Sequence, residues 1–284
     1  MTHSQLSLNQ ATIKYAPLAD AVRVTADAGY SSIGLWREPV AEFGLAASVT
    51  LVEDSGLRVS SMCRGGFFTL TEGQARRAAI DDNRRAIDET AAFGAPTLVL
   101  VAGGLPDGSR DLVGARARVA DAIADLADYA QESGVTLAIE ALHPMYVSDR
   151  AVVSTLGQAL DIAEQFPAEA VGVVVDTFHV WWDPQVLDQI ARAGATGRIA
   201  SYQVCDWATP IAQDALLSRH YPGDGVIDFG SLTRAVLSTG YTGDIEVEIF
   251  NQQIWDAAWP DVARRTAAAF DAVVAPHLAE SARR

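Results

Sequence analysis

The chain has little of what marks several common protein classes. Only two of its 284 residues are cysteine, Cys63 and Cys205, and they make neither a disulfide framework nor a Cys-x-x-Cys pair. Reduced thiols in a cytoplasmic protein are therefore expected. Bases are scarce, with 21 Lys and Arg against 36 Asp and Glu and a formal charge of −15. Nucleic acids and anionic membrane surfaces call for basic stripes, so neither is expected as a partner. No apolar run reaches the ~18–20 residues that span a bilayer. The first residues, Met-Thr-His-Ser-Gln, lack a signal-peptide pattern. No linker, low-complexity tract or like-charge block interrupts the sequence, so a single domain over residues 1–284 is expected.

What is present is a repeating alternation. Short apolar runs rich in Val, Ile and Leu fall at residues 5–10, 32–36, 57–63, 97–102, 135–140, 171–176, 198–204 and 244–250. Several lack polar alternation, as strands buried on both faces do. Longer amphipathic stretches lie between them, among them 74–93 and 114–132. Gly29, Gly56, Gly94, Gly134 and Gly240 sit just before the next run, where a helix C-cap belongs. Eight strand–helix units predict an α/β fold, a (β/α)8 TIM barrel. A doubly wound open sheet is the competing architecture, but no Gly-x-Gly-x-x-Gly follows the first run.

A barrel of this kind builds its site from residues closing the strands at their C-terminal ends. The fifth run ends in Glu140 and the sixth in Asp176; the seventh carries Gln203, and the eighth carries Glu246 and Glu248. Strand alternation puts Glu246 and Glu248 on one face and does not choose between them. Singly, each acid reads as a rim ion pair or a helix cap. Three carboxylates at one mouth repel unless a cation sits among them, which points to a divalent metal. An all-oxygen set favours Mn²⁺ or Mg²⁺.

His143 and His179 each lie three residues beyond a predicted ligand and are candidates for acid–base catalysis. Arg219 opens the loop Arg-His-Tyr-Pro-Gly-Asp-Gly-Val-Ile-Asp228 and is a candidate substrate clamp, with Asp228 capping the following helix. Trp36 and Trp182 fall at or past strand ends and are candidate substrate-facing rings.

Four stretches carry a resemblance: Glu140-Ala-Leu-His-Pro, Asp176-Thr-Phe-His179, Pro222-Gly-Asp-Gly-Val-Ile-Asp228 with Asp206, and Tyr241-Thr-Gly-Asp-Ile-Glu-Val-Glu248. Together they resemble the sugar-phosphate isomerase/epimerase superfamily of xylose-isomerase-like barrels. The resemblance implies a Glu, Asp, His, Glu metal set, carried here by Glu140, Asp176, Gln203 and Glu248. It thereby selects Glu248 over Glu246. Gln203 departs from the family's His. Tyr146 stands where ketose 3-epimerases carry a second catalytic Glu and is expected to line the substrate, which leaves His143 as the replacement acid–base group. The endonuclease branch of the fold needs a histidine-rich zinc cluster, and the chain has five histidines.

The Glu-x-Leu-His-Pro-Met-Tyr stretch and the glutamine ligand look like the larger subunit of bacterial C-glycoside deglycosidases. That resemblance implies cleavage of the carbon–carbon glycosidic bond of 3-oxo-C-glucosides, in an oligomer with a small β-rich partner subunit. Proton abstraction at C2 and elimination would accomplish it. A keto-sugar epimerase or isomerase shares the enolate step and is the alternative.

Overall fold

Eight short strands form a closed barrel in the computed structural model, which describes residues 4–70 and 73–281. Residues 1–3 of the N-terminal stretch lie outside them. The strands are β1 (Leu6–Asn9), β2 (Ser32–Trp36), β3 (Arg58–Gly66), β4 (Thr97–Val101), β5 (Thr136–Glu140), β6 (Val171–Asp176), β7 (Ile199–Val204) and β8 (Ile245–Val247). Each lies between its neighbours in sequence, and β8 closes on β1. All eight predicted runs are strands, as is the predicted barrel. Every residue of β4 and β6 is buried, which explains why their sequences do not alternate. By internal packing the chain falls into two compact units, one of Met1–Ser60, Asp176–Trp181 and Tyr202–Arg284, the other of Ser61–Val175 and Trp182–Ser201.

In the first unit β1 pairs in parallel with β2 and β8. Ser7 stands opposite Glu246, and Glu246 opposite Gln203, so one layer of the barrel is polar. Leu6, Leu8, Ile33, Leu35, Ile245 and Val247 supply its apolar layers. An antiparallel ribbon, Asp206–Trp207 against Arg219–His220, leaves β7. Its loop is anchored by Asp206, whose Oδ1 accepts from the Trp207 and Ile227 amides at 2.8 and 3.0 Å. Oδ2 accepts from Gly223 and Gly225 at 2.9 and 2.8 Å. Gly225 must lack a side chain, because a Cβ there would overlap the Trp207 carbonyl and the Asp206 carboxylate. Asp228 then caps the helix Phe229–Ser238 as expected, accepting from the Ser231 amide at 3.0 Å.

In the second unit β4 pairs with β3 and β5, and β5 with β6, all parallel. Gly66 sits at φ 111°, where a Cβ would overlap the Val101 carbonyl oxygen. The amphipathic stretch 114–132 is two helices, Leu112–Ala124 and Ala127–Glu132. The chain turns at Leu126, whose amide bonds the Ile123 carbonyl at 3.0 Å, and this leaves Leu126 fully buried. Arg198 is buried and gives its donors to the carbonyls of Ala163, Val171 and Phe166. Among the described residues no helix is long and apolar enough to cross a membrane.

Candidate metal centre

Two strands end in acids, at the C-terminal ends where barrels of this kind carry their chemistry. Glu140 closes β5 and Asp176 closes β6, and both are buried. Asp176 also caps the one-turn helix Thr177–Val180 through the Phe178 amide at 2.8 Å, and this turn carries His179. In the first unit Asp176 and His179 each offer one buried ligand atom, and these atoms lie within 4.8 Å of each other. His179, expected only as an acid–base group, thus stands among the possible ligands.

Gln203 and Glu248 lie in the first unit with Asp176. Gln203 and Glu248 are 1% and 4% exposed, so neither is a rim group. Glu246 and Glu248 share one face, but in different layers. Glu246 Oε1 accepts from Asn9 Nδ2 at 2.6 Å and, at the long distance of 3.5 Å, from Gln203 Nε2. Its Oε2 accepts from Ser60 Oγ at 2.5 Å, and Ser60 Oγ lies 2.7 Å from Ser7 Oγ. A carboxylate only accepts, so Ser60 spends its proton on Glu246 and receives one from Ser7. By the same rule the Gln203 amide turns its NH₂ toward Glu246, which leaves Oε1 as the atom open to a cation.

Glu248 faces Arg219, a 2% exposed residue, whose Nη1 donates to Glu248 Oε2 at 2.9 Å and Asp176 Oδ2 at 3.0 Å. Its Nη2 lies 2.9 Å from His179 Nε2. A guanidinium has donors only, so His179 accepts there and holds its own proton on Nδ1. The guanidinium also packs over the rings of Phe178 at 4.6 Å and Phe250 at 5.0 Å. Arg219, expected as a clamp, therefore lies inside the site, bound to its carboxylates.

Burial pushes the Glu248 carboxyl up to about 7; the Arg219 guanidinium opposes this, and the Asp176 and Glu246 carboxylates add to it. Asp176 and Glu248 thus share one buried guanidinium, with the buried Glu246 carboxylate close enough to act on Glu248, and negative charge is left over. That surplus, with oxygen donors to bind it, fits a divalent cation.

The remaining candidates are divided between the two units. Trp36 is half-buried at the end of β2, donates from Nε1 to Asn9 Oδ1 at 2.9 Å and meets the Phe250 ring at 5.7 Å. In the second unit His143 begins the turn Pro144–Tyr146 and lies edge-on to Trp182 at 5.4 Å. Its Nδ1 accepts from the Met145 amide at 3.3 Å, so the neutral ring carries its proton on Nε2. Burial lowers its pKa from the ordinary 6.5, which keeps it neutral near pH 7. Tyr146 is buried, with Arg150 over its ring at 5.6 Å. The polar residues Asn9, Ser7 and Ser60 were not singled out from sequence. Asn9 closes β1 as Glu140 closes β5, so the same strand-end rule applied to the first strand finds it.

Comparison with known proteins agrees with this fold. An inosose isomerase of Bacillus velezensis is 26% identical over 165 residues, 57% of each chain. A 3-dehydroshikimate dehydratase of Pseudomonas putida is 30% identical over 148 residues, 50% of this chain and 22% of that protein. The matches thus span about half or less of these curated relatives. Among solved structures, protein SMc04130 of Sinorhizobium meliloti 1021 is 45% identical with a TM-score of 0.92, covering 95% of this chain and 98% of that one. The IolI protein, solved with a bound zinc atom, shares the fold at 20% identity and a TM-score of 0.82, over 96% of this chain and 99% of that one. The model of the xylose isomerase-like TIM barrel family matches residues 22–273, and the chain belongs to that family.

Proposed function

We propose that the protein is a metal-dependent isomerase or epimerase of a keto-sugar or keto-cyclitol, working through an enolate. The observation that carries this reading is the surplus of buried carboxylate around one guanidinium, at the strand ends where such barrels place their chemistry. Glu140, Asp176, Gln203 and Glu248 would hold the cation, and their oxygen donors favour Mn²⁺ or Mg²⁺. When bound, the cation polarises the substrate carbonyl and stabilises the charge that develops as the adjacent C–H is deprotonated.

The chain's own residues then divide the proton work. Glu248, held beside the cation, would take the carbon-bound proton and return it. His143, whose Nδ1 accepts from the Met145 amide, would donate from Nε2–H to the developing oxyanion. Trp36 and Trp182 offer apolar faces to a sugar ring, and Tyr146 takes the place of a second catalytic carboxylate. The match to an inosose isomerase supports a polyhydroxylated ketone as substrate. Incubating the protein with inososes and free ketoses in D₂O, with and without Mn²⁺, tests this. Metal-dependent deuterium at the carbon beside the carbonyl is expected. Isomerisation without exchange would overturn the enolate.

A second reading shares the enolate and differs in its fate: elimination of a group from the next carbon, as in C–C cleavage of a 3-oxo-C-glycoside with a β-rich partner subunit. Two observations favour it. Tyr146 stands where ketose 3-epimerases carry a second catalytic Glu, and one relative, matched over part of its length, is named a 3-dehydroshikimate dehydratase. Release of free aglycone from a 3-oxo-C-glycoside would select this reading over isomerisation.

A further inference from the structure

Arg219 occupies the place that the carboxylates of a metal centre would give to a cation. Its Nη1 bridges Asp176 Oδ2 and Glu248 Oε2, at 3.0 and 2.9 Å. These are two of the carboxylates assigned to the metal. Its backbone is fixed, because it lies in the ribbon with Trp207 and its carbonyl accepts from Asn251 Nδ2 at 3.0 Å. Only the side chain is therefore free to give way. Its Nη2 lies 2.9 Å from His179 Nε2, itself a possible ligand atom, whereas the faces of Phe178 and Phe250 on which the guanidinium packs offer no competing donor.

We infer that Arg219 is a built-in counter-cation that holds Asp176 and Glu248 together without metal and yields their oxygens when a divalent cation loads. The inference rests on the metal assignment proposed above. Buried like charges repel, and a chain that must fold before it is loaded needs something between them. A guanidinium suits this role, since it is always charged and reaches two oxygens at once. The cost is competition: each cation weakens the site for the other. Arg219 thereby sets metal affinity as well as metal-free stability, two quantities that removing it should move in opposite directions.

The test compares the wild type with Arg219→Met and Arg219→Lys, each stripped with chelator and titrated with Mn²⁺ by calorimetry, with Tm measured before and after loading. Arg219→Met should lower the metal-free Tm, tighten the Mn²⁺ Kd by at least about tenfold and enlarge the Tm rise on loading. Arg219→Lys keeps a charge but cannot bridge in the same way, so it should fall between; it carries the test if the Met variant does not fold. An unchanged or weaker Mn²⁺ Kd in the variants would overturn the inference and leave the metal assignment standing. No Mn²⁺ bound by any of the three proteins would overturn both.

Discussion

Replacing Asp206 isolates the device that shapes the loop after β7. Four backbone N–H groups converge on its two oxygens, Trp207 and Ile227 on Oδ1, Gly223 and Gly225 on Oδ2. Asp206→Asn keeps one accepting oxygen and turns an NH₂ toward the other pair. The carbonyl should stay with Trp207 and Ile227, the more deeply buried pair, leaving the part-buried Gly223 and Gly225 amides to find water. A stranded buried N–H costs about 1–3 kcal/mol, so the low end for two of them gives roughly 2–3 kcal/mol. Asp206→Ala strands all four and should cost about twice as much. A fall in Tm of about 2–4 °C per kcal/mol is expected for chains of this size. Urea denaturation of the three proteins measures the free energies directly. Equal loss in the two variants, or losses under about 0.5 kcal/mol in both, would refute the anchoring role.

Three further outcomes follow from the site. Because burial raises the Glu248 carboxyl to about 7 from 4.5, the folded chain binds its proton more tightly than the unfolded chain does. The penalty is therefore absent below pH 4.5 and accrues as pH rises to 7, so the chelated protein should lose on the order of a few kcal/mol across that window. Glu248→Gln should flatten the profile in denaturant titrations, and an unflattened profile would place the titrating group elsewhere. His143→Ala should lower kcat about 10²–10³-fold with metal content intact, and wild-type kcat would remove His143 from the reaction. Gly34→Ala puts a methyl 2.5 Å from the Glu246 carboxyl carbon, so it should push Glu246 off Asn9 and Ser60 at a cost of about 1–3 kcal/mol. An unchanged Tm would show that the carboxylate has room to move.

The barrel was legible because each strand announces itself as an apolar run and several helix ends as a glycine. Gly29, Gly56, Gly94, Gly134 and Gly240 all adopt the positive φ that their placement predicts. The strand-end rule also pointed to Glu140, Asp176, Gln203 and the Glu246/Glu248 pair, all of which are buried. It could not separate the last two, since a period of two fixes the face and not the layer. The layer depends on which residues of β1 and β7 stand opposite, and that is a matter of register. Arg219 was legible as a charged residue beside the site, but its partners Asp176 and Glu248 lie 43 and 29 residues away in sequence. The break at Leu126 was hidden because the apolar pattern runs through it unbroken. The anchoring by Asp206 was hidden because its partners are backbone amides, which leave no mark in a sequence.

The central claim is that a divalent cation at these carboxylates enables deprotonation beside a carbonyl. Proton NMR of an inosose or ketose in D₂O, with the chelated protein and then with Mn²⁺ restored and removed before recording, addresses it most directly. The account predicts loss of the signal at the carbon beside the carbonyl only after metal is restored, and no such loss with Glu248→Gln. Exchange that proceeds equally in the chelated protein, or that survives Glu248→Gln undiminished, would contradict it.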